Sequence, residues 1–247
     1  MKKKVNVRLT VEYDGTGYAG WQRQNGKPTI QEELERAVQA LTGERCHVQG
    51  AGRTDAGVHA VGQVANVKAA FPVHAARLVH ALNAHLPTDI TVTHAEAVSD
   101  DFHAQFDARS KLYRYVILNR PARPALERNR VYNVRSPLDL GKMKAAASRL
   151  VGRHDFRAFC SEARTKESTV RLLKTLEIER HGEYIVVDAH GEGFLYNMVR
   201  AIVGTLVLAG QDKLDPDQIE DILKSRDRRK AGPNAPARGL TLVSVSY

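Results

Sequence analysis

Apolar residues recur at every second position in VNVRLTVEY, placing Val5, Val7, Leu9, Val11 and Tyr13 on one side and polar residues on the other. A period of two puts those five side chains on one face of a strand, and such a face must be covered by another apolar layer. The cover follows in sequence. After Pro28, Thr29 and Glu32 form an [ST]xxE capping box that predicts a helix start, and Ile30, Leu34, Val38 and Leu41 fall on one stripe of that helix. The glycine-studded loop DGTGYAGWQRQ, with the only tryptophan, Trp21, lies between strand and helix.

The same alternation continues. RCHVQGAGRTDAG predicts a short strand that breaks at its glycines, GQVANVKA a second strand, and DITVTHAEAV a third. Between the last two, AARLVHALNAHL predicts a helix with Leu78, Leu82 and His85 or Leu86 on one face. After DDFHAQFDARS a new unit starts with the strand KLYRYVIL. It continues with a helix near Asp139 to Leu150, a strand pair in VRLLKTLEIERHGEYIVVDAHG turning at His181 to Glu183, a long helix from Phe194 to Ala209, the helix DPDQIEDILKSR and the final strand LTLVSVSY. The fold class expected is α+β, two similar units side by side, residues 1–108 and 109–247. NRPARPALERNR is a Pro/Arg-rich surface loop, either a solvated connection or an RNA contact.

The chain of 247 residues carries 37 Lys and Arg against 28 Asp and Glu, a formal charge of +9. That balance suits a polyphosphate partner, nucleic acid above all, although it also serves solubility, so motifs must decide. Two cysteines, Cys46 and Cys160, make no disulfide scaffold, and a reducing, cytoplasmic setting is the default. MKKK followed by an alternating segment is no signal peptide, and AIVGTLVLAG is about half the ~20 residues needed to cross a bilayer. A soluble protein with no membrane partner is expected.

GAGRTDAGVHA, Gly50 to Ala60, sets a carboxylate among residues with almost no side chain. A dinucleotide cradle fails there, because the third glycine of GxGxxG would be Asp55, whose charge repels a pyrophosphate. No GK[ST], HExxH, paired CxxC or GxSxG spacing occurs, and His59, His103 and His190 are read as satisfied polar residues, so no metal or cofactor is expected. Two readings of Asp55 stay open: a turn cap bonded to its own backbone, or a carboxylate that does chemistry where small neighbours leave room for a planar substrate. Arg200 interrupts an otherwise apolar helix, either to reach a buried carboxylate and keep it ionised or to snorkel to the surface. Tyr113 and Tyr115 share a strand face, as core residues or as a flat surface for a base.

With YDGTGYAGWQRQ, GAGRTDAGVHA, DFHAQFDA with KLYRY, GEGFLYNMVRAIVGTL and AGPNAPARGLTL in this order, the chain resembles the tRNA pseudouridine synthase A family over essentially its whole length. Gln105 stands where the family pattern has Arg, and Asn234 where it has Thr. The resemblance implies two ferredoxin-like (RRM-like) halves whose antiparallel sheets join, a homodimer, and conversion of uridine to pseudouridine at positions 38 to 40 of the tRNA anticodon arm. It implies Asp55 as the catalytic carboxylate, Tyr113 stacked on the target uracil, Arg200 paired with the aspartate and Arg53 displacing the base. Arg23, Lys27, Lys166, Arg228, Arg229 and Lys230 are the candidate phosphate contacts, against the reading that such charge runs are solvated. Two rivals are a non-catalytic RNA-binding module, against which the missing RNP1-like run argues, and a synthase acting on ribosomal RNA with the same chemistry.

Overall fold

The computed structural model describes residues 3–161 and 168–247. It divides into two compact units, Met1–Arg109 with Leu242–Tyr247, and Ser110–Thr241. Both mix strands and helices, as the α+β pattern requires.

In the first unit the chain runs β1 (Val5–Tyr13), α1 (Ile30–Thr42), β2 (Gln49–Gly50), β3 (His59–Ala69), α2 (Ala75–Asn83) and β4 (Ile90–Ala97). β1 pairs antiparallel with β3 on one side and β4 on the other, and β2 adds to β3 through Gln49–Asn66 and Gly50–Ala65. Val7, Leu9, Val11 and Tyr13 are buried, and the helices contribute Ile30, Leu34, Val38, Leu78 and Leu82 to the interior. Each such aliphatic side chain adds about 1.5–3 kcal/mol by leaving water. The opposite face of β1 is closed differently. Asn6 donates to the carbonyls of Ser99 and Phe102 and accepts from Asn66, while Arg8 lies over the Phe102 and Tyr247 rings at 5.9 and 5.6 Å.

Two details of this unit depart from the sequence reading. Thr29 is the N-cap of α1, but its hydroxyl makes no capping bond and is buried without a partner, while Glu32 is occupied by Arg36 and Arg23. Helix α2 ends at Asn83, so His85 and Leu86 lie beyond it.

The second unit runs β5 (Ser110–Asn119), β6 (Tyr132–Val134), α3 (Leu140–Ser148), β7 (Gly152–Asp155), β8 (Val170–His181), β9 (Tyr184–Gly191), α4 (Met198–Gly210) and α5 (Gln218–Ser225). The last strand, β10 (Leu240–Ser246), spans the division between the units. β9 lies between β5 and β8, antiparallel to both, β7 follows β8, and the short β6 pairs parallel with β5. Helix α4 is apolar nearly all round, with Met198, Ile202, Val203 and Leu206 buried. It starts at Met198, four residues later than the apolar spacing suggests, because Asn197 adopts a left-handed φ of 61° that breaks the helix. Phe194 therefore lies outside it.

Candidate active site

Asp55 occupies the loop between β2 and β3, half-buried, with Arg53 exposed two residues before it. The backbone around it is fixed at almost every step. Gln63 donates to the Gly52 carbonyl (2.9 Å), Ala51 N–H to Val64 (2.7 Å), and Trp21 N–H to the Thr54 carbonyl (3.0 Å). Beyond the carboxylate, Gly57 N–H donates to Tyr18 (3.4 Å) and Val58 N–H to Asp55 itself (3.1 Å), which closes the turn. The Thr54 side chain is bonded to the Tyr13 hydroxyl at 2.8 Å. Burial pushes the Tyr13 phenol up to about 12, so it stays protonated at any working pH. Such a loop holds a carboxylate in place without having to be ordered by substrate.

Two glycines of this region are required by the protein's own packing. A Cβ on Gly50 would lie 2.5 Å from the Trp21 ring, and one on Gly20 2.5 Å from the Thr54 carbonyl oxygen. The Trp21 ring fills the space at Gly50, and at Gly20 the backbone of residues 54–56 fills it. His59 belongs to the same junction, with Nδ1 accepting from Gly15 N–H at 3.1 Å and lying 3.1 Å from the Asp14 carboxylate.

Tyr113 and Arg200 belong to the second unit. Tyr113 sits on β5 opposite Ala189, buried, with its ring edge-on to Phe194 at 5.1 Å. Its strand-mate Tyr115 is wholly buried and donates its hydroxyl to the Pro236 carbonyl at 2.7 Å, so it is a core residue. Arg200 is half-buried near the start of α4. Its Nε donates to the Ala235 carbonyl (2.7 Å) and Nη1 to Asn197 Oδ1 (2.8 Å), contacts that orient the guanidinium. The loop behind it is held by its own side chains. Arg228, counted above as a phosphate contact, donates to the Gly232 carbonyl and Asn234 Oδ1, both at 2.8 Å, and Asn234 donates in turn to Ser161. Arg228, half-buried, braces its own loop through these bonds, and Asn234, the residue that departs from the expected Thr, completes the brace.

Of the other basic candidates, Arg23 pairs with Glu35 (3.1 Å) and Arg229 with Asp227 (2.8 Å), while Lys27 and Lys230 are exposed. Lys166 lies outside the described residues. Among the described residues no cluster of His, Cys, Asp and Glu could hold a metal ion, and no helix is long and apolar enough to cross a membrane.

A sequence model of the family described as tRNA pseudouridine synthase matches residues 9–107 and 146–247. The chain belongs to this family. The matched segments of the tRNA pseudouridine synthase pattern include Arg53, Asp55 and Arg200, and Tyr113 falls between them. Similar proteins called tRNA pseudouridine synthase A occur in Thermoanaerobacter sp. (strain X514), 48% identical over 98% of this chain and 99% of the relative. Those of Acetivibrio thermocellus, 46% identical over 98% and 99%, and Rhodospirillum rubrum, 47% identical over 98% and 88%, carry the same name.

Proposed function

We propose that this chain isomerises uridine to pseudouridine at positions 38 to 40 in the anticodon arm of tRNA, with Asp55 as the reacting carboxylate. The observation that carries the proposal is the fixed bend: backbone bonds from Trp21 to Thr54, from Gly57 to Tyr18 and from Val58 to Asp55 hold the loop, and Asp55 is half-buried within it. Family membership supplies the reaction class.

The reaction breaks the bond from N1 to C1′, turns the uracil and joins C5 to C1′. Atoms and electrons balance within the nucleotide, so the chemistry calls for no redox partner. A stem uridine must first leave its helix, losing stacking and pairing. Arg53 is proposed to occupy the vacated space, Tyr113 to stack on the extruded ring, and Arg200 to keep Asp55 ionised. The carboxylate then attacks C1′, takes the C2′ proton or adds to C6. In each route an ionised group held in advance lowers the barrier.

The element order of each unit supports the ferredoxin-like description. In the first, β1 lies between β4 and β3 and β2 pairs with β3, with α1 after β1 and α2 after β3, and in the second α3 follows β5 and α4 follows β9. A cytoplasmic homodimer, each RNA touching both copies, completes the proposal.

The test uses tRNA transcripts labelled with tritium at C5 of uridine. Release of tritium, with pseudouridine mapped to positions 38 to 40, is the expected result. Release from ribosomal RNA alone, or from neither substrate, overturns it. A second expectation concerns Arg200→Met. Turnover should fall roughly 10- to 100-fold, and the acidic limb of the pH–rate profile should move to higher pH, because the carboxylate loses the cation that favours its charged form. An unmoved limb would refute the assigned role of Arg200.

A further inference from the structure

Phe106 is 77% exposed, yet its ring is not loose. It stacks on the imidazole of His103, centroids 4.2 Å apart and planes 27° from parallel. The turn that carries both rings is closed by its own side chains. His103 Nδ1 accepts from the backbone N–H groups of Gln105 (3.2 Å) and Phe106 (3.3 Å), which leaves the ring proton on Nε2 and fixes the imidazole plane. The Asp107 carboxylate accepts from His103 N–H at 2.8 Å. The turn is also bolted to the sheet: Ala104 N–H donates to Asn66 Oδ1 (2.9 Å), and its carbonyl accepts from the Tyr247 hydroxyl (2.7 Å). Among the described residues the His103 imidazole is the ring's one aromatic neighbour.

We infer that Phe106, backed by His103, is a stacking platform for an unpaired base of the RNA close to the target uridine. The inference rests on the function proposed above and specifies which part of the substrate the enzyme grips. Three observations favour a base as the occupant. One face of the ring is occupied by the imidazole and the exposed remainder is a flat π-surface, which suits a nucleobase of any identity. The ring is flanked by exposed Gln105, Asp107 and Arg109, so it is a single aromatic group in polar surroundings and not the contiguous apolar patch of a protein interface. Its turn leads directly to the candidate site, because Gln49 of β2 donates to Gln105 Oε1 at 3.3 Å and Ala51, just past β2, packs in one small cluster with Ala104, four residues before Asp55. A base held here neighbours the nucleotide at Asp55, and the rigidity of the turn keeps the entropic cost of stacking low.

The test is made in the Asp55→Asn background, so that binding is read without turnover, with anticodon stem-loop RNA and fluorescence anisotropy. Phe106→Ala should weaken binding roughly 5- to 150-fold. Phe106→Trp should bind as the parent does, and Phe106→Leu should resemble Phe106→Ala, since bulk without a π-face does not stack. A scan of single abasic sites should then find one position where base removal weakens the parent but leaves Phe106→Ala unchanged. Equal affinity of Phe106→Ala and parent, no such position in the scan, or a change in self-association with RNA affinity intact each overturns the platform. If instead the wild-type protein forms no pseudouridine on tRNA, the failure belongs to the proposed function.

Discussion

Asp55→Asn is expected to leave the fold and tRNA affinity intact and to lower pseudouridine formation by about 10³-fold or more. The substitution is nearly isosteric, and the bonds that shape the loop, from Trp21 to Thr54, from Gly57 to Tyr18 and from Val58 to Asp55, run through the backbone and survive it. It also separates the two readings left open by the sequence. Asparagine caps turns and helix starts as well as aspartate does, so a purely structural Asp55 would tolerate the change. A carboxamide neither attacks a sugar carbon nor takes a proton at neutral pH, so a reacting Asp55 would not. Tritium release from the variant close to that of the parent, at unchanged melting temperature, would remove Asp55 from the chemistry.

The fold was legible in the sequence wherever a long element shows one face to the core. β1 and β4, the β8–β9 hairpin, and helices α1, α3 and α5 lie where the period-2 and period-3.6 patterns place them, because burial of one face is what those periods record. The departures arise where pairing with distant residues or a single backbone dihedral decides the outcome. Strands β6 and β7, three and four residues long, are too short for a pattern, and their pairing is set by β5 and β8. The start of α4 is set by the left-handed Asn197, which apolar spacing does not register. The capping box at Thr29 is correct as a boundary and wrong as a bond, since packing buries the hydroxyl that was to make it.

The site divides in the same way. Asp55 stood out because a charged residue among glycines is locally conspicuous. The reason for Gly50 was not, since it owes its missing side chain to Trp21, twenty-nine positions earlier in the sequence. Arg228 looked like one more cation in a basic run. Its carbonyl and amide partners at 232 and 234 make it a brace, and a charge count does not distinguish the two uses.

Gly20 offers the sharpest test of whether loop placement, and not only the carboxylate, sets the rate. Its φ is +98°, which an L-residue with a side chain adopts only under strain, and a Cβ there would lie 2.5 Å from Thr54 O, 3.0 Å from Asp55 C and 3.1 Å from Ala56 N. All three obstacles are backbone, so none can rotate aside, and the loop itself must move. Gly20→Ala is therefore expected to destabilise the protein by about 2–4 kcal/mol, a fall in melting temperature on the order of 4–16 °C for a chain of this size. A displacement of the carboxylate approaching 1 Å lowers kcat by roughly 10²-fold, while KM for tRNA, which reports contacts spread over a wide surface, changes little. Gly26→Ala is the matched control. Gly26 also has a positive φ, +72°, but nothing lies within 4 Å of its Cβ position. It should suffer the dihedral strain without moving Asp55, losing some stability and keeping its turnover. If the two variants lose kcat equally, rigid placement of Asp55 by the Gly20 contact contributes nothing, and the catalytic role must rest on the carboxylate alone.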